Sequence, residues 1–545
     1  MSIPTPDSNL EIYLPRFLKV DGASTRPAGA RVVPPQRKDL FADIERTVPD
    51  DHGLSAVGFA EFSVSPTVKI VVDTRAVVPA EVQSLIYVIR DTEARIGGSP
   101  SCRISTHEID PSAGLSVMTT DPRLVDAAQA AWHAVRALSS VSDVESRSTP
   151  KLYGSKLRLT PLLAAAICSN LPSGAPILDA MAGTGIVSRM LSGRFRVSVN
   201  DANAYGAVFA RSQGATLTGD ADKLIERLRH VASRNYEALV GLAPASFASE
   251  ADFFHGDLSD ERFGDYERFC RQQVIAPSEG SPSDAPYQLC LARYANSYFG
   301  VAQCAQLDSL RAAIDEISPE ATPQRDLLLS ALLMAATVCS TGPHFAQPRK
   351  LTRASFRDTV ERRARSVIWE FELAVRRMAA RPPLRFPIES ASQGDWRDAV
   401  TQFARRLGER RPAAVYFDPP YSKFQYSRYY HLLNVLISYD YPSIHGVGRY
   451  PPLVDRFSSR FEHNSNPALS EFEDAFDLCR ALGLRVFVSY SNRGLVSADA
   501  LVDAMSRRFA EVVEFSDRIR HHSQGTRLGD HLGYVTEFVL AARND

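Results

Sequence analysis

The sequence predicts an α/β protein: a parallel sheet with helices on both faces, a mostly helical insertion, and a small N-terminal α+β domain. Three observations predict it. Short apolar runs at Ile177–Leu178, Arg196–Val199, Ala413–Phe417 and Arg485–Tyr490 have the look of strands buried on both faces. Residues 205 to about 390, lying between the second and third runs, are mostly helical in pattern. Ahead of these, residues 56–145 mix strand and helix signals in a block of their own.

Taken in order, residues 1–55 are rich in proline and charge with little periodicity, and read as an extended arm. Val64, Val68, Ile70, Val71 and Val72 predict a strand over 62–74. Val82, Leu85, Ile86, Val88 and Ile89 predict a helix over 78–96. Strand signals follow near 102–109 and 115–119, and Asp121-Pro122 opens a helix that runs past Trp132 to Leu138. The serine-rich stretch 139–149 reads as a linker. Residues 150–204 and 386–545 then form the main α/β domain, and 205–385 the insertion, broken by a polar stretch at 276–286.

Composition sets limits. The chain has 545 residues, 44% hydrophobic and 23% charged, with net charge -1, so any nucleic-acid surface is local rather than global. Its 7 cysteines are dispersed, without the C-x-x-C spacing of a zinc or redox site, which predicts reduced thiols in a cytoplasm. The first residues lack the apolar core of a signal peptide, and no run of about 18 apolar residues predicts a membrane span.

The first chemical signal is Pro176-Ile-Leu-Asp-Ala-Met-Ala-Gly-Thr-Gly-Ile186. A short strand ends at Asp179, and Gly183 and Gly185 turn the chain into a helix. Glycines there let a ligand approach the backbone at the carboxyl end of the strand. Asn200-Asp201 closes the next strand with an acid suited to ribose hydroxyls. The third glycine of a pyrophosphate-binding turn is absent.

The sharpest signal is Val415-Tyr-Phe-Asp-Pro-Pro-Tyr421. An apolar strand stops at Asp418, and Pro419 and Pro420 stiffen the turn beyond it. The turn leaves a carboxylate and a carbonyl as acceptors, with the Tyr421 ring beside them. That suits a flat base bearing an amino group, whose delocalised lone pair must be drawn toward tetrahedral geometry before it attacks. Such a base has to leave the duplex to reach the loop.

Together these motifs resemble those of the adenine-specific DNA methyltransferases in which the cofactor motif precedes the D-P-P-Y motif. Tyr153-Gly-Ser-Lys156, with Leu157 and Leu159, is similar to that family's Y-x-G-S-K-x-x-L segment, one residue shorter here. Gly394-Asp395-Trp396 looks like its second cofactor-contacting acid. The stretch Tyr294–Gly300 with Asp308, Arg311 and Asp315, the run Tyr426–Leu433 and the strand Val488–Ser491 are also similar to the family. The resemblance covers residues 151–545. It implies a Rossmann-like methyltransferase sheet and S-adenosyl-L-methionine as cofactor. It implies cofactor contacts from Tyr153, Gly154, Lys156, Asp179, Ala180, Gly183, Gly185, Asp201 and Asp395. Asp418, Pro419, Pro420 and Tyr421 would be catalytic, acting on adenine in DNA for restriction-modification or phage defence. Methylation of RNA or of cytosine, and a non-catalytic scaffold, stand as alternatives.

Arg349, Lys350, Arg353, Arg362 and Arg363 lie in a basic stretch of the insertion. Two readings stand there: contact with DNA phosphates, or a solvated helix face with ion pairs. Tyr426, Tyr429 and Tyr430 fit either the base pocket or the core. The pair His521-His522 lacks companion ligands, and no metal is expected. The first 150 residues fit an accessory or a partner-docking role.

Overall fold

The computed structural model describes residues 59–65, 68–73, 79–96, 105–110, 115–119, 121–138, 156–520 (apart from 218, 257, 277–285 and 424) and 534–544. The predicted arm and linker, and His521-His522, lie outside the described residues.

The N-terminal unit is a four-stranded antiparallel sheet, in the order β1-β2-β4-β3, with two helices. Its elements are β1 (Phe59–Ser65), β2 (Val68–Asp73), α1 (Pro79–Ile96), β3 (Ser105–Asp110), β4 (Leu115–Thr119) and α2 (Pro122–Leu138). The single strand expected over 62–74 is instead a hairpin, β1 against β2, with Ser65 opposite Val68. The apolar pattern runs through both strands, so periodicity alone merged them. Buried residues of α1 and α2 share one apolar cluster with Leu163 and Ile167 of α3 (Thr160–Asn170) and with Ile177, Tyr416 and Val539 of the main sheet. Ser84 donates to the Pro161 carbonyl at 3.1 Å, and Tyr87 donates to Asp517, tying α1 to the larger body.

The main sheet has seven strands, mostly parallel, which is compatible with a Rossmann-like arrangement. After α3 come β5 (Pro176–Asp179), α4 (Ile186–Leu191), β6 (Arg196–Asp201) and α5 (Ala204–Gln213). The insertion supplies α6 (Ala221–Leu242), α7 (Pro244–His255), α8 (Phe263–Arg271), α9 (Leu289–Arg293), α10 (Val301–Ile317), α11 (Pro323–Cys339), α12 (Arg353–Arg363) and α13 (Val367–Ala379). The chain returns through β7 (Ser390–Gln393), α14 (Trp396–Leu407), β8 (Ala414–Phe417), α15 (Tyr426–Tyr429), α16 (His431–Ser438) and α17 (Ser465–Ala481). It ends with β9 (Arg485–Ser491), α18 (Ala498–Ser506), β10 (Glu511–Arg520) and β11 (Tyr534–Arg543). Strand order is β10-β11-β9-β8-β5-β6-β7, with β11 antiparallel to both neighbours. The chain steps outward from β5 through β6 to β7, then returns to the other side of β5 for β8 and β9. That reversal opens a crevice at the carboxyl ends of β5 and β8.

The insertion is a helical body around its own aromatic and aliphatic core, which α16 joins. Asp308, Arg311 and Asp315 act inside it. Asp308 accepts from the Cys290 and Leu291 amides at 2.8 and 2.9 Å and from the Tyr439 hydroxyl at 2.6 Å. Arg311 donates to the Leu436 and Ile437 carbonyls at 2.9 and 3.0 Å and pairs with Asp315. This family-like stretch therefore latches the insertion to the last turn of α16, where free carbonyls need donors.

Candidate active site

Adjacent parallel strands bring the two sequence motifs together. The Ala180 amide donates to the Tyr416 carbonyl at 3.0 Å, so the turns after β5 and β8 leave the sheet side by side. Between them opens a cleft of about 1100 Å³ whose wall includes Lys156, Asp179, Ala180, Gly183, Asp201 and residues 418–421.

On the glycine side, φ is +54° at Gly183 and +73° at Gly185. The Gly183 amide donates to Asp201 Oδ2 at 2.8 Å, and the Asn203 amide to Asp201 Oδ1 at 2.8 Å. Asp201 thus ties the end of β6 to the glycine turn. Burial pushes its pKa up, opposed by these backbone bonds. Gly185 is outside the cleft wall. A Cβ there would sit 2.6 Å from Gln213 Cγ and 2.9 Å from Ala210 Cα, so this glycine serves close packing of α4 on α5. Asp179 is fully buried. Its Oδ2 accepts from Ser188 Oγ at 2.5 Å, while Oδ1 is buried without a hydrogen-bond partner among the described residues. Burial pushes its pKa up to about 7, the Ser188 bond opposing and the charges of Asp418 and Asp201 adding.

On the proline side, Asp418 Oδ1 receives two donors, Lys156 Nζ at 2.8 Å and Ser489 Oγ at 3.0 Å. Ser489 also shares a 2.7 Å bond with the Tyr416 hydroxyl. Burial raises the Asp418 pKa, and the Lys156 charge works against it. Lys156 Nζ lies 4.5 Å from the Tyr421 ring centroid. Tyr421 packs edge-on against Tyr490, centroids 4.7 Å apart, and its hydroxyl donates to Glu537 Oε2 at 3.3 Å. Burial brings Glu537 up to about 7, with Lys156 opposing.

Aromatic side chains line much of the remaining wall: Tyr205, Trp396, Tyr426, Tyr430, Phe457 and Phe461. Of the three tyrosines after the proline loop, Tyr426 and Tyr430 line the cleft. Tyr429 packs on His344 instead, centroids 4.6 Å apart. Glu462, also in the wall, accepts from the Tyr426 amide at 2.8 Å. Sequence reasoning missed Ser489, Glu462 and Glu537. Glu537 leaves a trace, an acid inside the apolar run from Val535 to Ala542, where an unpaired charge is costly. Ser489 lies in the family-like strand Val488–Ser491 without standing out there, and Glu462 leaves no trace.

Several expected residues lie elsewhere. Tyr153 and Gly154 fall outside the described residues. Asp395 caps α14 by accepting from the Arg397 amide at 2.8 Å, and its neighbours Gly394 and Trp396 reach the cleft instead. Arg363 requires a correction. It was expected on a phosphate-facing surface, but it is buried, donating to the Tyr266 hydroxyl at 3.0 Å and the Asn296 carbonyl at 2.8 Å. The helix turns this side chain into the insertion core, so it is a structural residue. Arg349 and Arg362 both pair with Asp358. Lys350 and Arg353 are exposed, Arg353 donating to the Asp260 carbonyl at 2.9 Å. Among the described residues no cluster of potential ligands suits a metal ion, and no helix is long and apolar enough to cross a membrane.

No family model matches the chain. A stretch of 98 residues is 43% identical to the modification methylase LlaI of Lactococcus lactis subsp. lactis, covering 18% of this chain and 14% of that protein. A stretch of 134 residues is 26% identical to the type II methyltransferase M.FokI of Planomicrobium okeanokoites, covering 23% and 20%. The chain thus aligns with a fifth or less of either relative's length. Both relatives are methylases by name.

Proposed function

We propose that this chain is a DNA methyltransferase of a restriction-modification system, carrying the methyl group of S-adenosyl-L-methionine to the exocyclic amino group of adenine. One observation carries the reading: the glycine turn after β5 and the proline loop after β8 face each other across one cleft.

The residues present fit that cofactor. Buried Asp179 Oδ1 lacks a donor, and the cofactor's α-ammonium group is one. Asp201, held against the Gly183 amide, borders the same space and suits the ribose hydroxyls. Ala180 and Gly183 line the approach, and the aromatic wall suits the adenine ring. When bound, the cofactor supplies an electrophilic methyl group on a sulfonium, which needs no metal for activation.

The chain's own residues then handle the target base. Its amino hydrogens are held by the Asp418 carboxylate and the Pro419 carbonyl, which raises electron density on the nitrogen. Lys156 and Ser489 both occupy Oδ1, so Oδ2 is the oxygen offered to the base. Burial raises the pKa of that carboxylate, and Lys156 opposes the rise. Tyr421 presents a ring for stacking, steadied by Tyr490 and Glu537. Most of the rate comes from this positioning. Lys350 and Arg353, exposed on the insertion like the Asp358-paired Arg349, are the candidates for phosphate contact.

The test is methyl transfer from labelled cofactor to DNA of varied sequence, followed by digestion to nucleosides. Label on N6-methyladenine, lost in Asp418→Ala, is expected. Label on cytosine or only on RNA, or equal labelling by Asp418→Ala, rejects the reading.

A further inference from the structure

Arg428 and Arg456 converge on one ring. The Arg428 guanidinium carbon is 5.1 Å from the Tyr450 ring centroid and that of Arg456 is 5.4 Å from it. Arg428 Nη2 donates to the Tyr450 hydroxyl at 3.1 Å, and Arg456 Nη1 to Gln425 Oε1 at 3.3 Å. The Nε of each is buried with no acceptor among the described residues. Burial lowers the pKa of Arg456, His344 and His431, and like charge adds to it, from Arg428 on Arg456 and His344 and from Arg456 on His431. Among the described residues, no carboxylate forms an ion pair with either arginine, including the exposed Asp455 beside them. Two guanidinium groups held together without an acid raise the local potential, at a cost that an anion would offset.

Their place in the fold says which anion. Arg428 sits on α15 between Tyr426 and Tyr430, both in the cleft wall, and Arg456 directly precedes Phe457 of the same wall. Tyr450 is fixed by a backbone bridge to His445, with nitrogen–oxygen distances of 2.9 and 3.2 Å. Just before Arg456 in the chain, Leu453 (60%) and Val454 (89%) are exposed, apolar side chains of the type that fill a gap left in a base stack. Guanidinium forks match phosphate oxygens, and a nucleotide whose base enters the cleft carries its phosphates across this rim.

We propose that Arg428 and Arg456 form a clamp for a DNA phosphodiester at the mouth of the cleft, gripping the backbone of the extruded nucleotide. The proposal rests on the reading of the chain as a DNA methyltransferase. It is tested with the full chain and a fluorescein-labelled 30-base-pair duplex of mixed sequence, titrated across a potassium chloride series. In Arg428→Gln/Arg456→Gln the slope of log affinity against log salt should fall by about 1 to 2, with affinity down roughly tenfold at moderate salt. Arg428→Lys/Arg456→Lys keeps the charges and should keep the slope while binding more weakly. It also covers the case in which the neutral pair fails to fold, because a shallower slope in the lysine pair overturns the clamp. Calorimetric binding of S-adenosyl-L-methionine should be unchanged in both variants. An unchanged salt slope in the glutamine pair, with cofactor binding intact, overturns the clamp and leaves the methyltransferase reading standing. A wild-type chain that binds neither cofactor nor duplex sinks the methyltransferase reading and the clamp with it.

Discussion

Lys156 Nζ stands 2.8 Å from Asp418 Oδ1, although the two residues belong to segments on opposite sides of the helical insertion. Burial raises the pKa of the Asp418 carboxyl, and the protonated form is a poorer acceptor for an amino group. The lysine opposes that shift. Lys156→Met should therefore raise the Asp418 pKa further and move the acidic limb of the single-turnover methyl-transfer profile to higher pH. A limb that stays in place in the variant, at saturating cofactor, would show that the pair does not govern ionisation.

Asp418→Asn should depress methyl transfer by two orders of magnitude or more, roughly the cost of losing a positioned charged acceptor. Cofactor affinity should change by no more than about threefold, because the proposed reading sets Asp418 against the base rather than the methionine. Isothermal titration alongside labelled transfer separates the two effects.

On the proposed reading Asp179, raised to about 7 by burial, makes cofactor affinity depend on pH. A cationic ammonium group binds the ionised carboxylate, so affinity should weaken as pH falls through about 7 and level off above it. Asp179→Asn should bind weakly at every pH and lose this dependence. A wild-type dissociation constant that is flat between pH 6 and 8 would rule out Asp179 as the ammonium ligand.

The two glycines of the turn should differ in stability cost. Gly185→Ala meets both a left-handed φ and a Cβ collision with Ala210 backbone, and should cost about 2–4 kcal/mol. Gly183→Ala has open space and only the dihedral strain, about 1 kcal/mol. Thermal denaturation of the two variants orders them.

Arg363 and Lys350 separate structure from recognition. Arg363→Met leaves the Asn296 carbonyl and Tyr266 hydroxyl without their buried donor, and should cost about 3 kcal/mol in folding stability. Lys350→Glu/Arg353→Glu should fold normally and bind duplex DNA more weakly, most clearly at low salt. Unchanged DNA affinity in that pair would assign the basic stretch to solvated surface.

Local chemistry made much of the site readable in advance. Asp179, the glycine turn and residues 418–421 are contiguous motifs whose dihedral limits and strand endings depend on near neighbours. The hairpin of β1 and β2, the short polar β7 and the antiparallel β11 were not legible. Their pairing is set by long-range partners rather than by their own pattern. Arg363 was misplaced for a similar reason. A run of arginines on a helix looks uniformly exposed until the direction of each side chain is known.

From the amino-acid order came the α/β class, the helical character of the insertion, and two motifs whose chemistry called for one shared space. Folding alone decided that Asp395 would cap a helix, and that Lys156, Ser489 and Glu537 would gather around Asp418 and Tyr421. For that gathering the physical reason is distance along the chain. Turns and strand ends are shaped by bonds within a few residues, whereas the contacts around Asp418 and Tyr421 join segments separated by more than 60 residues and exist only once the sheet has closed.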